Sequence, residues 1–338
     1  MPADRGLMPV ASVSVDRARG LRLRVPGSTS NLGPGFDALG LALQVYLEVD
    51  VLGAEDDGAG RLRFTFEGGA PAGDNAIAAA IADEARRRRV ALPSLELAVR
   101  STIPVQAGLG SSAAAIVAGL RLVHALCSNH ERGADRDRCE DGDVGRLLDA
   151  ATALEGHPDN VSASILGGLT ASSQGPGGVT SVASVWPARI RLVVATPRVG
   201  LATAKARGVL PATLPRADAV FNVQRTALLL QAVHTGSLDA IAAALDDRLH
   251  QPYRAPLVPG LADALAFRHP TVLGAFLSGA GPSIGAFVLD DAGAAERFFS
   301  ELYARLGLPC AVRTLDVHQP GAVRARVAPP VLPSGVPA

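Results

Sequence analysis

Apolar and polar residues alternate in 21–25 (LRLRV), 43–52 (LQVYLEVDVL) and 61–68 (RLRFTFEG), the period of half-buried strands. The period then lengthens. Residues 75–89 (NAIAAAIADEARRRR) read as a helix with Asp74 as N-cap and arginines in the last turn, where they meet the negative end of the dipole. Strand character returns in 95–101 (LELAVRS). The segment 103–126 (IPVQAGLGSSAAAIVAGLRLVHAL) opens on tiny residues and becomes a helix with Ile116, Leu120 and Val123 on one face. Alanine and valine cover most of the rest, a pattern for burial nearly all round. A polar stretch, 128–143, predicts an exposed loop, and 144–156 (VGRLLDAATALEG) a helix that ends at glycine and runs into the turn signature HPDN.

Residues 172–181 (SSQGPGGVTS) are expected to form a hinge or edge loop between two halves. Beyond them the pattern predicts strands at 191–197 and 310–317, helices at 218–234, 238–247 and 294–307, and two apolar runs in 271–290 joined by SGAGPS. Residues 1–20 and the proline-rich 328–338 read as loose tails. Strands and helices interleave without a regular βα repeat, which points to α+β halves and not to one doubly wound sheet.

Composition narrows the function classes. A chain of 338 residues that is 48% hydrophobic can bury a large core, divided between two domains. With 32 basic and 32 acidic residues there is no net field to favour nucleic acid or an anionic membrane, so an anionic ligand needs a local site. Cys127, Cys139 and Cys310 are odd in number and widely spaced, which argues against a disulfide framework or a zinc site; the N-terminal segment has no apolar stretch of signal-peptide length, the one long apolar run, in 103–126, is broken by Arg121 and His124, and a cytoplasmic location is expected.

Four segments combine glycine or proline with a few polar residues: 31–40 (NLGPGFDALG), 108–114 (GLGSSAA), 155–160 (EGHPDN) and 277–283 (LSGAGPS). Loops that converge on a site have this make-up. Gly108, Gly110, Ser111 and Ser112, directly before a helix, suit either a phosphate held by backbone N–H groups or a sterically tight strand-to-helix turn. The lysine of a GxxxxGK[ST] loop is missing, since Lys205 is the chain's one lysine, and GxGxxG does not fit either. His157 beside Asp159 and Asn160 suits an acid–base pair, a metal cluster or a capped turn, while Asp149 and Glu155 lie on or near the preceding helix as candidate metal carboxylates.

Taken in order, these segments resemble the GHMP kinase superfamily. PVQAGLGSSAA (104–114) is similar to its ATP loop and LSGAGPS to its C-terminal glycine motif. PGSTSNLGPGFDALGLAL (26–43), LEGHPDNVSASILGGL (154–169), LATAKARGVLP (201–211) and LHQPYRAPLVPG (249–260) resemble the homoserine kinase family within it. The resemblance spans about 21–320 and implies an α+β, two-domain fold: an N-terminal ATP-binding domain (21–180) like ribosomal protein S5 domain 2, and a ferredoxin-like C-terminal domain (181–320), with tails at 1–20 and 321–338.

The resemblance also implies ATP-dependent phosphorylation of the L-homoserine hydroxyl, with Mg²⁺, in a homodimer. ATP would be held by Pro104, Val105, Gln106, Ala107, Gly108, Leu109, Gly110, Ser111, Ser112, Ala113 and Ala114. Metal would be held by Ser111 or Ser112 with Asp149, where the family usually has Glu, and Glu155 as the alternative. Substrate would meet Asn31, Asp37, His157, Asp159, Thr203, Arg207 and Arg254, and the catalytic set would be Asn31, Asp37, His157, Asp159, Asn160 and Arg207. Homoserine carries an ammonium that wants carboxylates and a carboxylate that wants an arginine fork. A ligand-binding sensor without activity, and a kinase for mevalonate or galactose, are the competing readings.

Overall fold

The computed structural model describes residues 11–69, 74–128 and 141–319. Its first sheet is built around one long strand. β1 (Ala11–Ser12), α1 (Val15–Ala18) and β2 (Arg22–Asn31) lead to β3 (Gly35–Glu55), a strand of 21 residues that pairs antiparallel with β2. β4 (Leu62–Phe66), α2 (Ala76–Arg88), β5 (Val90–Ala91), β6 (Ser94–Ser101), α3 (Ser111–Cys127), α4 (Asp141–Glu155), α5 (Pro158–Leu166), β7 (Leu169–Gly175) and β8 (Gly178–Ser184) follow. The sheet order is β4-β6-β3-β7-β8, with β2 also on β3 and only β4–β6 parallel. α3 and α5 pack against β2 and β3.

The second sheet has the order β10-β11-β9-β12, all antiparallel, from β9 (Ile190–Pro197), β10 (Val272–Leu277), β11 (Ile284–Leu289) and β12 (Cys310–Leu315). Between β9 and β10 run α6 (Thr203–Gly208), α7 (Arg216–Thr235), α8 (Leu238–Ala244), α9 (Gln251–Arg254) and α10 (Leu261–Ala266); α11 (Gly293–Arg305) precedes β12. Alternation along β9 divides the core. Leu192 and Val194 join the first sheet's cluster with Phe276, Phe287 and Trp186, while Val193 and Ala195 pack with Phe299, Leu302 and Tyr303. No helix among the described residues is long and apolar enough to cross a membrane.

After β12 the chain returns to the first sheet. Gln44 N–H donates to Asp316 O (2.9 Å), His318 N–H to Ala42 O (3.0 Å) and Gly168 N–H to His318 O (2.7 Å), and Gln319 exchanges two side-chain hydrogen bonds with the Trp186 backbone. This strap ties the second sheet to the middle of β3.

Several expectations need correction. For residues 172–181 the edge alternative holds and the hinge does not: β7 and β8 form a hairpin at the edge of the first sheet, with β8 running on to Ser184. Part of the expected N-terminal tail is ordered, since β1 pairs with β5 and Ala18 is fully buried. Asn75, not Asp74, caps α2, accepting from Ile77 and Ala78 N–H. HPDN is more than a turn, because His157 is the N-cap position of α5 and Pro158 takes its first helical place, where its missing N–H costs nothing. Within the predicted loop 128–143, α4 already starts at Asp141, and 129–140 lie outside the described residues, as do 1–10 of the first expected tail and all of the second.

Candidate active site

One cavity of about 620 Å³ gathers residues from all four glycine-bearing segments. At one end stand Gly108, Gly110, Ser111 and Ser112. Gly110 is the N-cap position of α3 with φ +69°, and no side chain caps the helix, so the first N–H groups of a 17-residue helix face the cavity end without a protein acceptor from a capping side chain. Both glycines are sterically required: a Cβ on Gly108 would sit 2.3 Å from Ser278 O, and one on Gly110 2.2 Å from Ser28 Oγ. The C-terminal glycine motif braces this loop, with Ser278 Oγ donating to Gly108 O at 2.6 Å and lying 2.8 Å from Thr29 Oγ1. Ala107, Leu109, Ala113 and Ala114 are buried beneath it, and Val105 and Gln106 line the cavity. Pro104 leads into the loop between them and Ile103.

Ser112 Oγ donates to Glu155 Oε2 at 2.7 Å. Burial pushes the Glu155 carboxyl up, the Ser112 hydrogen bond and the His157 charge only partly offsetting it. Asp149 lies elsewhere. Its Oδ1 accepts Val179 N–H at 2.7 Å at the β7–β8 turn, and it does not line the cavity. The helix dictates this, because six residues at about 100° each set the two carboxylates roughly 120° apart around α4 and about 9 Å apart along it. Of the two carboxylates expected for the metal, Glu155 lines the cavity, while Asp149 caps the β7–β8 hairpin away from it.

At the other end Asn31, Asp37, His157, Asp159, Asn160, Thr203, Arg207 and Arg254 come together, all lining the cavity. Arg207 forks onto Asp37, Nη1 to Oδ2 at 2.9 Å and Nη2 to Oδ1 at 2.6 Å. Asn31 accepts from Asp37 N–H and donates to Gly279 O, both at 3.0 Å. His157 Nδ1 lies 2.6 Å from Asp159 Oδ1, which also accepts Asn160 N–H at 2.7 Å. Burial pulls His157 down, but the Asp159 hydrogen bond and charge, with Glu155 and Asp37, outweigh it and leave the imidazole above its ordinary range. Asn160 bridges Ser28 and Ser30 at 2.9 Å each.

The two arginines expected to act together differ. Arg207 already has its carboxylate. Arg254, only 2% exposed, donates to Ala206 O (3.0 Å) and Gly279 O (3.1 Å) and has no ion-pair partner among the described residues. Burial and the nearby Arg207 charge both lower its pKa, so the site holds a desolvated cation short of an anion. Asp37, His157 and Asp159 also present ligand atoms within 4.8 Å of one another. Their carboxylates are engaged by Arg207 and His157, an arrangement that suits a hydrogen-bonding ammonium better than a metal ion.

Sequence reading missed the flank formed by Phe66, Glu67, Gly68, Gly69, Asp74 and Asn75, and the share of Ser30, Gly279, Ala280 and Gly281 in the lining. The SGAGPS motif pointed to the last three; nothing local marked the β4–α2 flank.

The family model described as GHMP kinases N terminal domain matches residues 75–168, and that described as GHMP kinases C terminal matches 229–305. The chain is 46% identical to a homoserine kinase of Solibacter usitatus, over 78% of this chain and 84% of that one. It is 41% identical to one from Moorella thermoacetica, over 89% and 98%. A crystal structure of homoserine kinase from Cytophaga hutchinsonii superposes with a TM-score of 0.75 at 24% identity, over 89% of this chain and 96% of that one, a likeness of fold. With the two-domain GHMP kinase fold, both family models and relatives at this identity over most of its length, the chain belongs to the homoserine kinase family.

Proposed function

We propose that this chain, a kinase by family, transfers the γ-phosphoryl group of ATP to the side-chain hydroxyl of L-homoserine, giving O-phospho-L-homoserine and ADP, in threonine biosynthesis. The observation that carries the reading is Arg254, a buried guanidinium with no carboxylate partner among the described residues, in the same cavity as the uncapped start of α3. A neutral sugar or a hydroxy acid without an amine would leave one end of that arrangement unused. Homoserine fills both, its carboxylate on Arg254 and its ammonium toward Asp37 and Asp159.

Phosphoryl transfer depends mainly on positioning and charge stabilisation. Gly108 to Ser112 hold the phosphates by main-chain N–H groups, and the apolar lobe with Leu47, Phe66, Ile77 and Val99 suits the base of the nucleotide. Asn31 and the Asp37–Arg207 fork orient the acceptor, and Asn160 keeps the 28–30 strand end against α5. Asp159 is held by His157 and a backbone N–H, so it orients and is not assigned as a base. Ser112 and Glu155 fit Mg²⁺: both offer hard oxygen donors, and a buried carboxylate with one hydroxyl donor has charge to spare. When bound, the ion supplies compensation for phosphate charge.

A coupled ADP-release assay against homoserine, threonine, serine, mevalonate and galactose, with the product identified by ³¹P NMR, tests this. Homoserine should be preferred by at least an order of magnitude, and equal use of mevalonate would sink the assignment. A homodimer is part of the reading, and sedimentation at assay concentration checks it.

A further inference from the structure

The loop that carries Asn31 and Asp37 is held in a disfavoured conformation by the second half of the chain. Asn31, Leu32 and Gly33 follow one another at φ 69°, 47° and 83°, and Leu32 is fully buried. Left-handed backbone is disfavoured for residues with a Cβ and persists where the surroundings over-determine it. Here Asn222 Nδ2 and Thr226 Oγ1, one turn apart on α7, donate to Pro34 O at 3.0 and 3.1 Å, and His250 Nε2 lies 2.8 Å from Gly33 O.

His250 has no exposed surface and lies outside the cavity lining. Gly33 O only accepts, so Nε2 carries the proton, and burial disfavours a second one. Nδ1 is then a lone pair, and it faces Arg254 Nη1 at 3.4 Å. The ring also stacks on Phe36 with centroids 5.2 Å apart, and the Arg254 guanidinium lies 5.2 Å from that same phenyl centroid. Asp247 fixes the backbone beneath, accepting from Leu249, His250 and Gln251 N–H and from Asn222 Nδ2.

We propose that His250 is a positioning residue for the acceptor site: Nε2–H sets the 31–37 loop, Nδ1 sets Arg254, and one ring thereby fixes the span between the groups that receive the acceptor's ammonium and carboxylate. This rests on the acceptor reading above.

Three substitutions and one spectrum test it. His250→Gln carries an amide nitrogen to the Nε2 position, keeping the hydrogen bond to Gly33 O while losing the acceptor that faces Arg254, and should raise the homoserine KM about threefold. His250→Asn reaches only the Nδ1 position, and His250→Phe keeps the stack on Phe36 but neither hydrogen bond; both should raise the homoserine KM about tenfold, with the ATP KM within about twofold. Equal rises in both KM values, or no difference between the Gln variant and the other two, would reduce His250 to packing and overturn the proposal. Long-range ¹H–¹⁵N spectra of the labelled protein should show a neutral Nε2–H ring that disappears in His250→Gln, and a protonated ring or an Nδ1–H tautomer overturns it. If the unaltered protein ignores homoserine, the acceptor reading fails separately, and the same variants are compared on the acceptor it does use.

Discussion

At one end of the cavity the groups that face a ligand are main-chain N–H groups and small residues of a single segment, around Gly108 to Ser112. At the other they are charged side chains from four segments: Asp37, His157 to Asn160, Arg207 and Arg254. The difference sets what each end tolerates. Backbone donors cannot be deleted by substitution, so the phosphate end is vulnerable through shape, at glycines whose Cβ would strike the main chain or a buried serine. The acceptor end is vulnerable through charge, and each loss there leaves a partner unpaired in a partly desolvated place.

Gly108→Ala should have the largest effect. The added Cβ meets Ser278 O at 2.3 Å and φ is +72°, so the loop must move. A displacement of about 1 Å in a positioned site costs on the order of 100-fold in kcat/KM. An alanine variant with unchanged kinetics for ATP would break the backbone account of this end.

Next comes the contrast on α4. Glu155→Ala should lower kcat about 100-fold and weaken the dependence on Mg²⁺, whereas Asp149→Ala should leave kcat within about threefold and act through lost hairpin stability. Titrating Mg²⁺ against kcat, with a melting curve for each variant, separates the two. The reverse order of effects would return the metal to Asp149.

Arg254→Ala should raise the homoserine KM roughly 10- to 100-fold, the equivalent of about 1.5–3 kcal/mol for a charge-assisted contact, with the ATP KM little changed. Arg254→Lys should recover only part of this, because an ammonium cannot fork onto a carboxylate. Equal damage to both KM values would mean that Arg254 serves the interface between the halves.

The smallest effect concerns pH. Folding raises the His157 pKa, so its pairing with Asp159 adds stability that is complete below the ordinary histidine value near 6.5 and is lost as pH rises through the folded pKa. Asp159→Asn should remove that increment, lowering the melting temperature more at pH 6 than at pH 9, and should move the His157 NMR titration toward lower pH. An unchanged titration would show that Glu155 or Asp37 is its main partner.

The same contrast explains what could be read in the chain. The Gly108–Ser112 end is local, so a glycine turn before a buried helix is legible in GLGSS alone, although that segment by itself suits a phosphate and a tight turn equally; most strands and helices, whose cores alternate or repeat cleanly, are legible too. The acceptor end was legible only through the order of several motifs, since Asp37 and Arg207 are 170 positions apart yet 2.6 Å in contact. That Asp149 faces the hairpin and not the cavity is not legible from its spacing to His157, which does not show which side of α4 meets the other segments. Gly178, where a Cβ would meet Asp149 Oδ1 at 2.7 Å, records the hairpin contact, but only once the fold is known. Residues 66–69 and 74–75 carry no motif; they reach the cavity because β4 ends there and α2 begins.

The strap at 316–319 has a consequence for how the chain is made. Ala42, Gln44 and Gly168 find their hydrogen-bond partners in residues more than 140 positions downstream, so the first sheet is incomplete until nearly all of the second has been synthesised. Contacts of such long range close late and slow folding. A nascent chain halted after β8 would hold the phosphate loop without Ser278 to brace it and with part of β3 unpaired, which makes the interval before β12 emerges the period in which this protein most needs protection from association through that edge.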